Sequence, residues 1–239
     1  MANTAQRATI FDTIMESLLL LAAAVILAFA CLMGTKIVPY FSFNPLQDFL
    51  GTKTDHVLAK PLFQVSFYIH IASSWVVMTT GALQLIPAMY RNWPKFHRWT
   101  GRIYAAVILV LACPSGLGLA IYANGGLAAK VGFSLQCIAW WFLTLQAWRY
   151  ARLQQWEKHA NTVLRSLAVT LAAMSLRTES YFMFYYLGTK PIETYLTVTW
   201  LSWVGNLFIA EILIFLGWGP YMIKRMFPPS SLNHKTNYT

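Results

Sequence analysis

The stretch Leu167–Phe184, LAVTLAAMSLRTESYFMF, reads as an apolar helix interrupted by two charges, Arg177 and Glu179. The fold turns on what kind of helix tolerates them. In a soluble protein such charges would simply mark the wet face, and many more would flank them. Here only 11% of the 239 residues are charged, while 57% are hydrophobic and 15% aromatic, against about a quarter charged in an ordinary soluble domain. The helix therefore belongs in lipid. An isolated charge near the bilayer centre costs about 2.5–3.5 kcal/mol on insertion scales, so both charges call for partners on other helices.

Working outward, apolar runs of about 20 residues, long enough to cross roughly 30 Å of hydrocarbon, recur at 14–34, 63–88, 103–123, 129–150, 163–187 and 195–218. They use up most of residues 1–239 and predict a single membrane domain with no room for a soluble catalytic one. The fold class is all-α: a six-transmembrane-helix bundle, with spans two to five as a four-helix core and the first and sixth packed outside. The first run ends in small residues at Ala28 and Ala30, as a cleavable leader can. Its preceding segment carries Asp12 and Glu16 as well as Arg7, so it reads as a retained span. FNPLQDFL, inside the long connection 35–62, suits a short interfacial helix, and Pro114 with Gly116 should bend the third span. The tail 228–239 is polar.

Charge sets the orientation. The formal net charge is +10, which in a soluble chain could suggest nucleic acid, but the basic residues gather at span ends. With the N-terminus in the cytoplasm, twelve of them fall inside and five outside, with Arg177 left within the membrane. The positive-inside rule thus puts both termini in the cytoplasm. The expected setting is a lipid bilayer, such as a bacterial inner membrane, with a membrane redox partner or larger membrane complex as possible company and no nucleic acid. Cys31, Cys113 and Cys137 fall inside spans at no metal-binding or redox spacing.

Polar residues inside the spans are the candidate site. On the fifth span His159, Thr162, Ser166, Thr170 and Arg177 share one face, and on the second Ser66, His70, Ser73, Ser74, Gly81 and Gln84 share another. Small polar stripes of this kind also serve plain helix packing. Counting helical rise from the span ends places Arg177 and Glu211 at similar depth, which predicts an ion pair between them. Glu179 is about 200° round the helix from Arg177 and needs a neighbour of its own. His97 and His159 open the third and fifth spans on the same side. Neutral imidazole ligates haem iron, and two histidines from two helices can bracket a b-type haem whose propionates Arg98, Arg102 and Arg165 would hold. Headgroup contact is the plainer reading of the same histidines. His70 is a possible ligand at a second site. No phosphate-binding glycine loop, serine elbow or paired-histidine metal motif is present.

Five segments then carry a resemblance: YIHIASSWVVMTTGALQLIP, FHRWTGRIYAAVILVLACPSGL, GGLAAKVGFSLQCIAWW, KHANTVLRSLAVTLAAMSLR and WLSWVGNLFIAE. Over about residues 66–215 the chain resembles the predicted membrane proteins grouped as domain of unknown function 2306. The resemblance implies the helical membrane fold and a residue pattern of His70, Gln84, His97, Arg98, Gly101, Tyr104, His159, Arg165, Arg177, Asn206 and Glu211. It implies no activity. Thr162 and Val163 stand where the family favours Trp-Met, Gly205 stands where a proline is common, and Glu179 lies outside the pattern. Three functional expectations follow from the residues. The leading one is a membrane electron-transfer or reductase protein binding haem b through His97 and His159. The alternatives are a proton-linked carrier with a buried path through His70, Arg177, Glu179 and Glu211, within a polar network that also includes Gln84 and Asn206, and a non-catalytic accessory subunit.

Overall fold

Backbone groups in hydrocarbon must be satisfied within the chain, and long helices do this for sequences as apolar as this one. The structure, a computed structural model, describes residues 2–226 apart from Leu46, so the tail 228–239 lies outside the described residues. Among the described residues every regular element is helical. The main ones are α1 (Ala2–Ile37), α2 (Pro61–Gln84), α3 (Pro94–Val107), α4 (Cys113–Ala120), α5 (Gly126–Arg152), α6 (Trp156–Thr170), α7 (Ala172–Tyr186), α8 (Pro191–Phe215) and α9 (Trp218–Met226). A π-helical turn, Ile108–Ala112, welds α3 to α4. Five helical segments are long and apolar enough to cross a membrane: 12–42, Pro61–Gln84, Pro94–Ala120, Gly126–Arg152 and Pro191–Phe215.

Proline places several boundaries. Pro61, Pro94 and Pro191 each open a helix, where the missing N–H costs nothing. The second span, expected to run to 88, stops at Gln84 because Pro87 starts a separate short helix, Pro87–Asn92. The third begins earlier than expected and absorbs Pro114 in the wide π turn just before it. FNPLQDFL is not an interfacial helix. Val38–Ser42 and Leu50–Thr52 are short 3-10 turns, and Asp55–Leu58 is one α-helical turn. This segment packs Leu50 against Phe63 and Phe67, and Lys53 donates to the Tyr122 carbonyl at 2.8 Å and to Asn124 Oδ1 at 2.9 Å.

The densest part of the bundle lies where α2, α3, α5 and α6 meet. Val77, Tyr104, Ile108, Ala112, Cys113, Trp140 and Val169 form one buried cluster. Beside it a hydroxyl network joins three helices. Tyr104 Oη lies 2.7 Å from Thr170 Oγ1 and 3.0 Å from Ser166 Oγ, Trp140 Nε1 donates to Thr170 Oγ1, and Thr144 Oγ1 lies 2.8 Å from Ser166 Oγ. Thr144 and Thr170 donate their own protons to the carbonyls of Trp140 and Ser166. Every donor finds an acceptor, so the network acts as a bolt. On the flank, α1 packs on α2, and α8 packs on α5, α6 and α7.

The run 163–187 is not one straight helix. It breaks at Leu171 into α6 and α7, 15 residues each, or about 22 Å, too short for either to cross alone. Thr170 is drawn sideways into the bolt, Leu171 turns to ψ −8°, and Asn206 Nδ2 caps the Ala168 carbonyl at 3.1 Å. Beyond the break α7 leans on α8 and meets α2 marginally or not at all.

Candidate functional site

His97 and His159 lie within electrostatic range of each other at the arginine-rich end. His97 sits in the first turn of α3 and His159 in the first turn of α6, both half-buried. His159 Nδ1 lies 2.8 Å from the Ala147 carbonyl. A carbonyl only accepts, so Nδ1 carries the proton and the neutral ring presents a lone pair on Nε2, the state of a ligating imidazole. His97 Nδ1 is buried without a partner. Tyr90 meets the His97 ring edge-on at 5.9 Å, and Trp156 meets His159 at 6.4 Å. Arg98 is exposed beside them, and Arg102 lies over Trp99.

Arg165 is committed elsewhere. Its Nε and Nη2 grip the two carboxylate oxygens of Glu211 at 2.5 and 2.8 Å. The expected Arg177–Glu211 pair is therefore replaced by Arg165–Glu211. Glu211 lies one turn from the end of α8 at Phe215, a level that matches Arg165, whereas Arg177 has been carried past the break into α7. The Glu211 carboxylate offsets the charge of Arg165 and occupies two of its five N–H donors.

The remaining polar candidates do not form one path. Gln84 Nε2 donates to Thr100 Oγ1 at 2.6 Å, in a niche kept open by Gly101, where a Cβ would come within 3.2 Å of the amide oxygen. Asn206 also accepts from Ser175 Oγ at 2.9 Å. Arg177 Nη1 donates to the Ala173 carbonyl of its own helix at 2.7 Å and, among the described residues, meets no carboxylate. Glu179 Oε2 is buried without a partner. At the end remote from the histidine pair, His70 Nδ1 donates to the Ala112 carbonyl at 3.0 Å, its ring resting on Gly116, where a Cβ would come within 3.1 Å of Cε1.

The bolt was only half visible beforehand. Ser166 and Thr170 shared a predicted face, but nothing in the sequence marked Trp140, which is buried with its N–H bonded inside. The usable signal was the alignment of Tyr104, Thr144, Ser166 and Thr170 at one level. Among the described residues no three His, Cys, Asp or Glu side chains cluster as metal ligands.

The family model described as predicted membrane protein, DUF2306, matches residues 67–214. The chain belongs to this family. Its matched region runs from within α2 to the last turn of α8 and contains His70, His97, His159, Arg177 and Glu211. No curated protein and no solved structure matches the chain. The protein is thus a helical membrane protein of an uncharacterised family.

Proposed function

We propose that this protein is a membrane electron-transfer protein in which His97 and His159 would hold haem b between α3 and α6. The observation that carries the reading is the pair itself. Two half-buried imidazoles from different helices approach each other, and the Nδ1–H of His159 is anchored on the Ala147 carbonyl so that its Nε2 is the free ligand atom. Two such ligands are too few for a bare metal ion but suffice for haem, whose porphyrin supplies four nitrogens itself. Haem held by both histidines would supply one-electron transfer to a redox partner. Arg98 is the cation available for a propionate, Arg165 being bound to Glu211. Both histidines lie in the first turns of their helices, at the basic end of the bundle.

In the same reading α6 and α7 together form a sixth, bent crossing, which brings the basic end and both termini to the cytoplasmic side of a bacterial inner membrane. The excess of basic residues on that side supports it. Protein purified from haem-replete cells is expected to show a Soret band that a His97→Ala, His159→Ala double variant loses while its far-ultraviolet circular dichroism is unchanged. A colourless wild-type preparation from such cells rejects the haem reading.

A further inference from the structure

The half of the membrane domain remote from the histidine pair contains polar groups that the haem reading does not use. His70 lies nine residues into α2 from Pro61, and Arg177 nine residues before the end of α7 at Tyr186. Both therefore sit about 14 Å below the same end of the bundle. They are within electrostatic reach of each other and share no hydrogen bond. Tyr40, just beyond α1, is within reach of the same guanidinium.

Each of the three has valence left over. His70 gives Nδ1–H to Ala112, so its neutral ring keeps an acceptor at Nε2. Arg177 uses one donor on Ala173, leaving most of its fork free. Tyr40 Oη accepts from the Phe49 N–H at 3.1 Å, which leaves its own proton to give. Beyond the break at Leu171, α7 packs against α8 rather than against α2, so the helices that carry Arg177 and His70 are not closed on each other. Tyr181, Phe182, Phe184 and Tyr185 stand exposed along α7 beyond Arg177.

We infer that this gap between α2 and α7 binds the headgroup of a lipid-soluble quinone or quinol, entering sideways from the bilayer. The chemistry selects the occupant. It must be apolar enough to reach 14 Å deep and flat enough for a gap between two helices. It must also offer oxygens on opposite edges of one ring, one to donate to His70 Nε2 as the quinol, the other to accept from Arg177 or Tyr40. A phospholipid phosphate satisfies Arg177 but stays at the membrane surface. The site lies at the opposite end of the bundle from His97 and His159, and the binding does not depend on haem being present.

Purified full-length protein in detergent is titrated with decylubiquinone and with menadione, following quenching of its tryptophan fluorescence. Saturable binding is expected, with Kd raised at least tenfold in Arg177→Gln and less in Arg177→Lys, while Lys130→Gln binds as wild type. An azido-quinone should label peptides from α2 or α7, a readout available even if Arg177→Gln folds poorly. Non-saturable quenching, equal affinity in a folded Arg177→Gln protein, or labelling confined to other helices overturns the site. So does a stable dimer with α7 buried at its interface. The Soret band of Arg177→Gln is expected to match wild type, so the quinone site and the haem site fail independently.

Discussion

Two consecutive 15-residue helices, α6 and α7, have opposite surroundings. In α6 every residue from Ser166 to Thr170 is buried, and its hydroxyls are bonded to α3 and α5. In α7 only Ala172 is buried, and the hydroxyl of Thr178 returns to the carbonyl four residues back in its own helix. Polar side chains thus mean different things on the two sides of Leu171. Before it they hold three helices together; after it, among the described residues, Ser175 alone bonds across, to Asn206, while Arg177 and Thr178 bond back to their own helix. The largest expected effect sharpens that contrast. Ser166→Leu forces a large side chain into a fully buried position and removes one hydrogen-bond partner each from Thr144 and Tyr104, at a cost of about 3 kcal/mol or more. Thr178→Leu should stay within about 0.5 kcal/mol. Unfolding in mixed detergent micelles measures both, and comparable losses would erase the distinction between the helices.

The two arginines repeat the comparison at the level of charge. Arg165 is held by a two-point fork and Arg177 by one carbonyl of its own helix. A double-mutant cycle on Arg165→Gln and Glu211→Gln is expected to give a coupling of about 1 kcal/mol, modest because both side chains are partly exposed. Arg177→Gln, with no carboxylate to orphan, should cost less than Arg165→Gln in the same assay. If Arg177→Gln proves the more damaging, α7 is packed against something that the isolated chain does not contain.

How much of this could be read beforehand follows the same division. Length and hydropathy revealed the helical membrane fold, because spanning helices impose a run of about 20 apolar residues whatever they pack against. They could not show the break at Leu171. That depends on Thr170 being pulled into contacts with Trp140 and Tyr104, which are distant in sequence. Periodicity put Ser166 and Thr170 on one face, but pairing by depth chose the wrong arginine for Glu211. Depth counting assumes one straight helix, and here the chain shifts direction between Arg165 and Arg177. The meeting of His97 with His159 was legible in outline, since both open a helix at the same end. The anchoring of His159 on Ala147 was not, because a backbone carbonyl carries no sequence signature.

The end of the molecule that leaves α7 loosely packed is also, on its other side, tightly tied down. There the connection between α1 and α2 is held by Leu50 in its aromatic nest and by Lys53, which donates to Tyr122 and Asn124 and lies 5.0 Å from the centre of the Phe49 ring. Burial pushes the Lys53 amine below its ordinary pKa of 10.5. Between its folded value and 10.5 the unfolded chain therefore binds the extra proton, so the contribution of Lys53 to stability grows as pH rises through that window. A neutral amine still has two protons for its two acceptors, and the hydrogen bonds survive the titration. The margin in Tm of wild type over Lys53→Met should widen toward alkaline pH, by a small amount because the group is only half-buried. A margin that narrows instead would mean that the charge on Lys53, rather than its hydrogen bonds, ties the connection to α4 and α5.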